Sequence, residues 1–234
     1  PLEEGTPRTL TAPSALLMEA ETGAVIFEKN ADERRPAASV TKLMTLLLLF
    51  ERLDAGEIAL SDQVTVSQNA ADQPGSQALL DAHAVYPLQD LLKSTIIASG
   101  NDSAVALAEY VAGTEESFVT LMNQRAEELG LINTHYVNCT GLPVADQYTS
   151  ARDVAVISRE MCGHPTYHSY ASTWLDTLVH PSGRHTDLTN TNRLVRFYRD
   201  CDGFKTGSTN EAKYCLSATA ERNGMRLIAV VLGV

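Results

Sequence analysis

Both ends of the chain carry strand-turn-strand signatures, and the stretch between them is helical in pattern. Near the start, "SALLMEAETGAVIFEKN" (residues 14–30) reads as two short apolar strands joined at Glu21-Thr22-Gly23, with glycine where a positive φ is wanted. Near the end, "YCLSATAERNGMRLIAVVLG" (residues 214–233) reads as strand, Asn223-Gly224 turn, strand, with β-branched and apolar residues gathered in the second strand. The pattern predicts one antiparallel sheet built from both chain ends. Between them, apolar residues recur at helical spacing over 40–53, 88–98, 103–112, 115–129 and 151–161. Gly56, Gly113 and Gly130 fall just beyond three of these segments, as helix stops do. The expected fold is therefore α/β in the mixed α+β sense, a sheet flanked by helices with an inserted helical lobe over roughly 60–170. No repeat, low-complexity tract or linker divides residues 1–234, so a single domain is expected.

With 234 residues and 44% hydrophobic content the chain can bury a core. Its 18 basic and 29 acidic residues give a net charge of −11, a field that repels phosphate backbones and anionic lipid head groups. Nucleic acid is thereby a poor partner. The apolar run from Leu43 to Phe50, interrupted by Thr45, is far short of the roughly 20 residues of a spanning helix and reads as a core helix. The chain begins at Pro1 without a basic n-region or apolar h-region, as a mature exported chain or a trimmed one does. It ends on "AVVLGV" inside an apolar strand, so a natural chain is expected to extend further. Cys139, Cys162, Cys201 and Cys215 lack metal-site spacing and read as mostly free thiols.

His164 and His168 have the i, i+4 spacing of two ligands on one helix face. Pro165 and Gly163 argue against a helix there, and no H-E-x-x-H pattern exists, so no metal is expected. No glycine-rich phosphate loop supports a nucleotide, and no cofactor is expected. Asp32-Glu33 and Glu127-Glu128 read as solvated faces.

"AASVTKLMTLLLLF" is more informative, because it places Ser39 and Lys42 three residues apart at the head of an apolar run. A serine hydroxyl needs an adjacent base, and a lysine one turn away supplies it when desolvation lowers its pKa. Helix N-terminal amides could then stabilise an oxyanion. Equally, Ser39 could be a plain N-cap and Lys42 a snorkelling side chain. Further groups weigh for the chemistry. "IIASGNDSA" offers Ser99-Gly100-Asn101 at a junction between two helical patterns, against a plain helix cap there, and "CDGFKTGST" offers Lys205-Thr206-Gly207, otherwise a turn leading into a strand. Ser67-Gln68-Asn69 also fits S-x-N, but Ser99 is preferred because it sits at a buried corner able to aim two side chains inward. S-x-x-K, S-x-N and K-T-G stand in the order of the penicillin-binding proteins and class A β-lactamases.

The chain resembles the low-molecular-mass penicillin-binding proteins that are serine-type D-alanyl-D-alanine carboxypeptidases. "ETGAVIFEKNADERRPAASVTKLMT", "LLKSTIIASGNDSAVALAEYVAG", "MNQRAEELGLINTHYVNCTGL", "YTSARDVAVISRE", "NTNRLV" and "CDGFKTGSTNEAKYCLSATAERNGMRLIAVVLG" carry the likeness over nearly the whole chain. The resemblance implies a five-stranded antiparallel sheet in a β-lactamase/transpeptidase-like fold, with the active site in the cleft beside a helical lobe. It implies Ser39 as nucleophile, Lys42 as base, Ser99 as proton relay and Asn101 as the group orienting peptide and Lys42. Lys205 would supply positive charge and Thr206 would bond the substrate carboxylate. Gly207 completes the motif, and the amides of Ser39 and Ser208 would form the oxyanion hole. The implied partners are a peptidoglycan stem peptide ending in D-Ala-D-Ala and β-lactams as covalent inhibitors, for a monomer at the exterior of the cell envelope. The family's C-terminal β-rich domain and amphipathic anchor are absent from these residues, so membrane attachment is implied only by analogy.

Two features depart from the family pattern. Gln147 and Tyr148 stand near the place of a family histidine, and Arg193 is the local candidate for the carboxylate-binding arginine. A β-lactamase would need a deacylating glutamate, and residues 140–150 hold Asp146 but no glutamate. A transpeptidase would differ only in the acyl acceptor, and a β-lactam sensor or wall-binding protein would acylate without turnover.

Overall fold

The computed structural model describes residues 10–234. The first hairpin, β1 (Ser14–Glu19) and β2 (Val25–Lys29), is followed by a 3-10 turn (Ala38–Thr41) that runs into α1 (Lys42–Asp54). Next come β3 (Gln63–Thr65), α2 (Gln68–Ala71) and β4 (Val85–Pro87), then α3 (Leu88–Ile97), α4 (Asn101–Ala112) and α5 (Glu115–Glu128). After a long irregular stretch follow α6 (Ala151–Met161) and α7 (Pro165–Ala171), the small hairpin β5 (Leu175–Val179) and β6 (His185–Thr189), and α8 (Leu194–Phe197). The last elements are β7 (Cys201–Thr209), β8 (Lys213–Arg222) and β9 (Met225–Leu232).

The chain ends do meet in one sheet. Its five antiparallel strands run in the order β2-β1-β9-β8-β7, with Leu17 opposite Ala229 and Leu16 opposite Val230 where the first hairpin joins the last. Ile228, Val230 and Leu232 alternate along β9 as fully buried residues, and α6 packs across β1 and β9 on that face. Behind α6 lies α1, buried continuously from Lys42 to Phe50. A helix buried on all sides needs a sequence apolar all round, which "LMTLLLLF" supplies.

Three local expectations are corrected. Pro165 does not prevent a helix; it opens α7, where its missing N–H would have had no partner and its fixed φ suits the first turn. Lys205 to Ser208 lie inside β7, not in a turn ahead of a strand. Asn101 and Asp102 form the first turn of α4, which begins two residues before the predicted start. The β5–β6 hairpin, closed over "HPSGR", was not foreseen. No helix among the described residues is long and apolar enough to cross a membrane.

Candidate active site

Ser39 stands second in the 3-10 turn, directly after Ala38, whose φ of 47° places it in the left-handed region. It caps nothing: α1 begins at Lys42, and neither the turn nor the helix has a side-chain cap. The N-cap reading of Ser39 is thus corrected. The hydroxyl instead lies 3.0 Å from Lys42 Nζ.

The Lys42 amine is fully buried and has three partners. Besides Ser39 Oγ, these are Asn101 Oδ1 at 2.6 Å and the Thr140 carbonyl at 2.8 Å. Asn101 is oriented by its own amide, which donates to the Pro74 carbonyl at 2.6 Å. Burial pushes the Lys42 pKa down from 10.5 to about 7. A neutral amine has two N–H groups and one lone pair. Asn101 Oδ1 and the Thr140 carbonyl can only accept, so they take the two N–H groups and leave the lone pair for the Ser39 O–H.

Ser99 sits at the buried corner between α3 and α4 with a φ of 63°. Lys205 Nζ, reaching in from β7, lies 2.8 Å from Ser99 Oγ and 3.1 Å from the Thr206 carbonyl. Lys205 is also fully buried, and burial together with the Lys42 charge lowers its pKa well below the usual lysine range. Thr206 Oγ1 meets Thr191 Oγ1 at 2.7 Å.

Edge strand β7 lies against the Ser39 turn. Here the glycine of K-T-G has a steric reason: a Cβ on Gly207 would come within 2.6 Å of the Ala37 carbonyl and 2.7 Å of the Ser39 amide. Gly141 is equally constrained, with a φ of 85° and no room for a Cβ beside the Ala38 carbonyl. The register also orients Ser208. Tyr214, its partner on β8, exchanges both backbone bonds with Val234 at 3.0 and 2.9 Å, on its other side. Ser208 and Thr206 are therefore at non-hydrogen-bonded positions of the β7–β8 ladder, and their peptide groups face the open edge beside Ser39. Ser39, Ser99, Thr206, Gly207 and Ser208 line one cleft of ≈ 1070 Å³, which also takes in Ser76 and the exposed Arg193.

The remaining candidates go elsewhere. Ser67 caps α2 by accepting from the Ala70 amide at 2.9 Å. Gln147 accepts from the Val137 and Asn138 amides, Tyr148 stacks under Arg34, and Asp146 is exposed. His164 pairs with Asp54 and His168 with Asp202. All four cysteines are free thiols. Sequence reasoning missed the Thr140 carbonyl; a backbone acceptor carries no signature beyond the "CTG" around it.

A five-stranded antiparallel sheet whose edge strand closes on a Ser-x-x-Lys turn defines the penicillin-binding, transpeptidase-like class of proteins. The chain belongs to the D-alanyl-D-alanine carboxypeptidase family, whose model matches residues 3–234. It is 46% identical over 222 residues to the D-alanyl-D-alanine carboxypeptidase DacF of Bacillus subtilis, covering 95% of this chain and 57% of that protein. The crystal structure of penicillin binding protein 5 from Haemophilus influenzae superposes with a TM-score of 0.91 at 35% identity, covering 98% of this chain and 67% of that one. A Streptomyces DD-transpeptidase mutant superposes at 0.88 with 32% identity, covering 96% and 91%. The chain thus spans somewhat over half the length of the curated carboxypeptidase DacF.

Proposed function

We propose that the protein is a serine-type D-Ala-D-Ala carboxypeptidase that removes the terminal D-alanine of peptidoglycan stem peptides through a Ser39 acyl-enzyme. The observation that carries this reading is the Lys42 amine, buried and aimed by two pure acceptors so that its lone pair meets the Ser39 hydroxyl. In the proposed reaction Ser39 Oγ attacks the carbonyl of the penultimate residue while its proton passes to Lys42. The Ser39 and Ser208 amides hold the oxyanion, and Ser99 hands a proton to the departing amine. Thr206 bonds the terminal carboxylate, whose charge favours the protonated form of Lys205. That positive charge in turn favours a neutral Lys42. Water then cleaves the ester. β-Lactams would acylate the same serine. The fitting place of action is the exterior of the cell envelope, where such substrate lies.

The test is D-alanine release from a peptide ending in D-Ala-D-Ala, with mass spectrometry locating a penicillin adduct on Ser39. No release and an adduct elsewhere would remove this reading. Likeness to the transpeptidase gives the acyl-enzyme a second exit, attack by an amine; adding an amine acceptor and measuring the product ratio separates the two.

Two predictions belong here. The base must be neutral to accept a proton, so the rate of penicillin acylation falls about tenfold per pH unit below about 7 and levels off above it. A flat profile from pH 5 to 9 would rule out Lys42 as base. Ser67→Ala removes an N-cap, costs about 1 kcal/mol and leaves turnover nearly intact, whereas Ser99→Ala lowers turnover roughly 100- to 10,000-fold. Equal losses in steady-state assays would overturn the choice of Ser99 over Ser67.

A further inference from the structure

The Thr140 carbonyl that takes an N–H of Lys42 belongs to no helix or strand, so no ladder of backbone bonds holds its direction. A trans peptide group points its C=O and its N–H to opposite edges, and a carbonyl is therefore aimed by whatever holds the N–H behind it. Behind the Thr140 carbonyl is the Gly141 N–H, which donates to Asn138 Oδ1 at 2.8 Å. The same oxygen accepts from the Thr140 N–H at 3.2 Å, so one side chain holds the N–H ends of two successive peptide groups.

The carbonyl end of the first group is held from α1. Thr45, fully buried one turn beyond Lys42, donates its hydroxyl to the Cys139 carbonyl at 2.7 Å. Lys42 and Thr45 thus reach two successive carbonyls, Thr140 and Cys139, from one helix. Asn138 is itself fixed in orientation. Its Oδ1 also accepts from the Gln147 side-chain amide at 3.1 Å, while its Nδ2 donates to the Leu142 carbonyl at 2.9 Å. Turning the amide over would set its NH₂ group against three N–H donors and its oxygen against a carbonyl.

We propose that Asn138 and Thr45 are positioning residues for acylation: they pin the two peptide groups around Thr140 so that its carbonyl stays on the Lys42 amine and the lone pair of that amine stays on Ser39. The inference rests on Lys42 as the proton acceptor of the proposed reaction. Among the described residues, the partners of the Lys42 amine are Ser39, Asn101 and Thr140, so both side chains act on it only through the Thr140 backbone. Neither lines the cleft, so the surface that meets penicillin is left as it is when they are changed.

The experiment is the rate of acylation against penicillin concentration for Thr45→Val and Thr45→Ser beside the wild type. Valine keeps the shape and removes the donor; serine keeps the donor. In Thr45→Val the rate at saturating penicillin falls roughly 10- to 100-fold, as a misaimed base requires, while the concentration giving half that rate is unchanged. Thr45→Ser stays within about threefold of the wild type. A folded Thr45→Val that acylates at the wild-type rate overturns the proposal, and so does a Thr45→Ser as slow as the valine variant, because packing and not the hydroxyl would then be at work. Should Thr45→Val not fold, Asn138→Ala against Asn138→Asp decides: aspartate keeps an oxygen before the same donors and retains most of the rate, alanine does not, and equal rates overturn the proposal. Lys42→Ala is run alongside. Wild-type acylation by that variant would instead remove Lys42 as base, so the two failures are told apart.

Discussion

If Ser39 is the nucleophile of the proposed carboxypeptidase, Ser39→Ala is expected to leave a folded protein that neither releases D-alanine nor takes up penicillin. Among the described residues the hydroxyl has one partner, the Lys42 amine, and it caps no helix. Its removal therefore costs no more than about 0.5–1.5 kcal/mol, the worth of one ordinary hydrogen bond. Chemistry fares differently, because among the described residues no other hydroxyl lies on the Lys42 amine: Ser99 bonds Lys205 instead. Intact mass after incubation with penicillin gives the answer in one measurement. Full labelling of the variant would show that another residue is the nucleophile.

Gly207→Ala is expected to lower acylation by about 100-fold or more while the sheet survives. The new methyl would press within 2.6 Å of the Ala37 carbonyl, 2.7 Å of the Ser39 amide and 2.9 Å of the Val40 amide. All three are backbone atoms, so relief comes only by parting the turn from β7. Overpacking of this kind costs about 1–3 kcal/mol, and a misplacement near 1 Å at a reacting group costs about 100-fold in rate. Thermal melting and the acylation rate measured together test the claim. An unchanged rate would mean that the turn and the strand edge need no fixed spacing.

Much of this site was legible because its chemistry depends on side chains at short spacing. Ser39 with Lys42, and Ser99 with Asn101, could be read directly, and the corner between two apolar helical patterns selected Ser99 over Ser67. The sheet was legible for a similar reason: turn residues at Gly23 and Asn223-Gly224 mark hairpins by local conformation. What could not be read were groups that act through backbone or through tertiary approach. The Thr140 carbonyl exists at every residue type. Gly207 reads as part of a motif, but its reason is the Ala37 carbonyl, distant in sequence. Pro165 misled because the same ring that breaks a helix interior also favours its first position.

The sheet joins the first strands to the last, with β1 paired on one side to β2 and on the other to β9. A chain stopped short of Cys201 would contain Ser39, Lys42, Ser99 and Asn101 but would lack Lys205, the edge strand and the partner of β1. Contacts this distant in sequence form late and at a cost in loop closure. No N-terminal portion can therefore hold the site by itself. During synthesis these four residues are present long before the sheet that seats them, which is complete only when the β8–β9 hairpin pairs with β1.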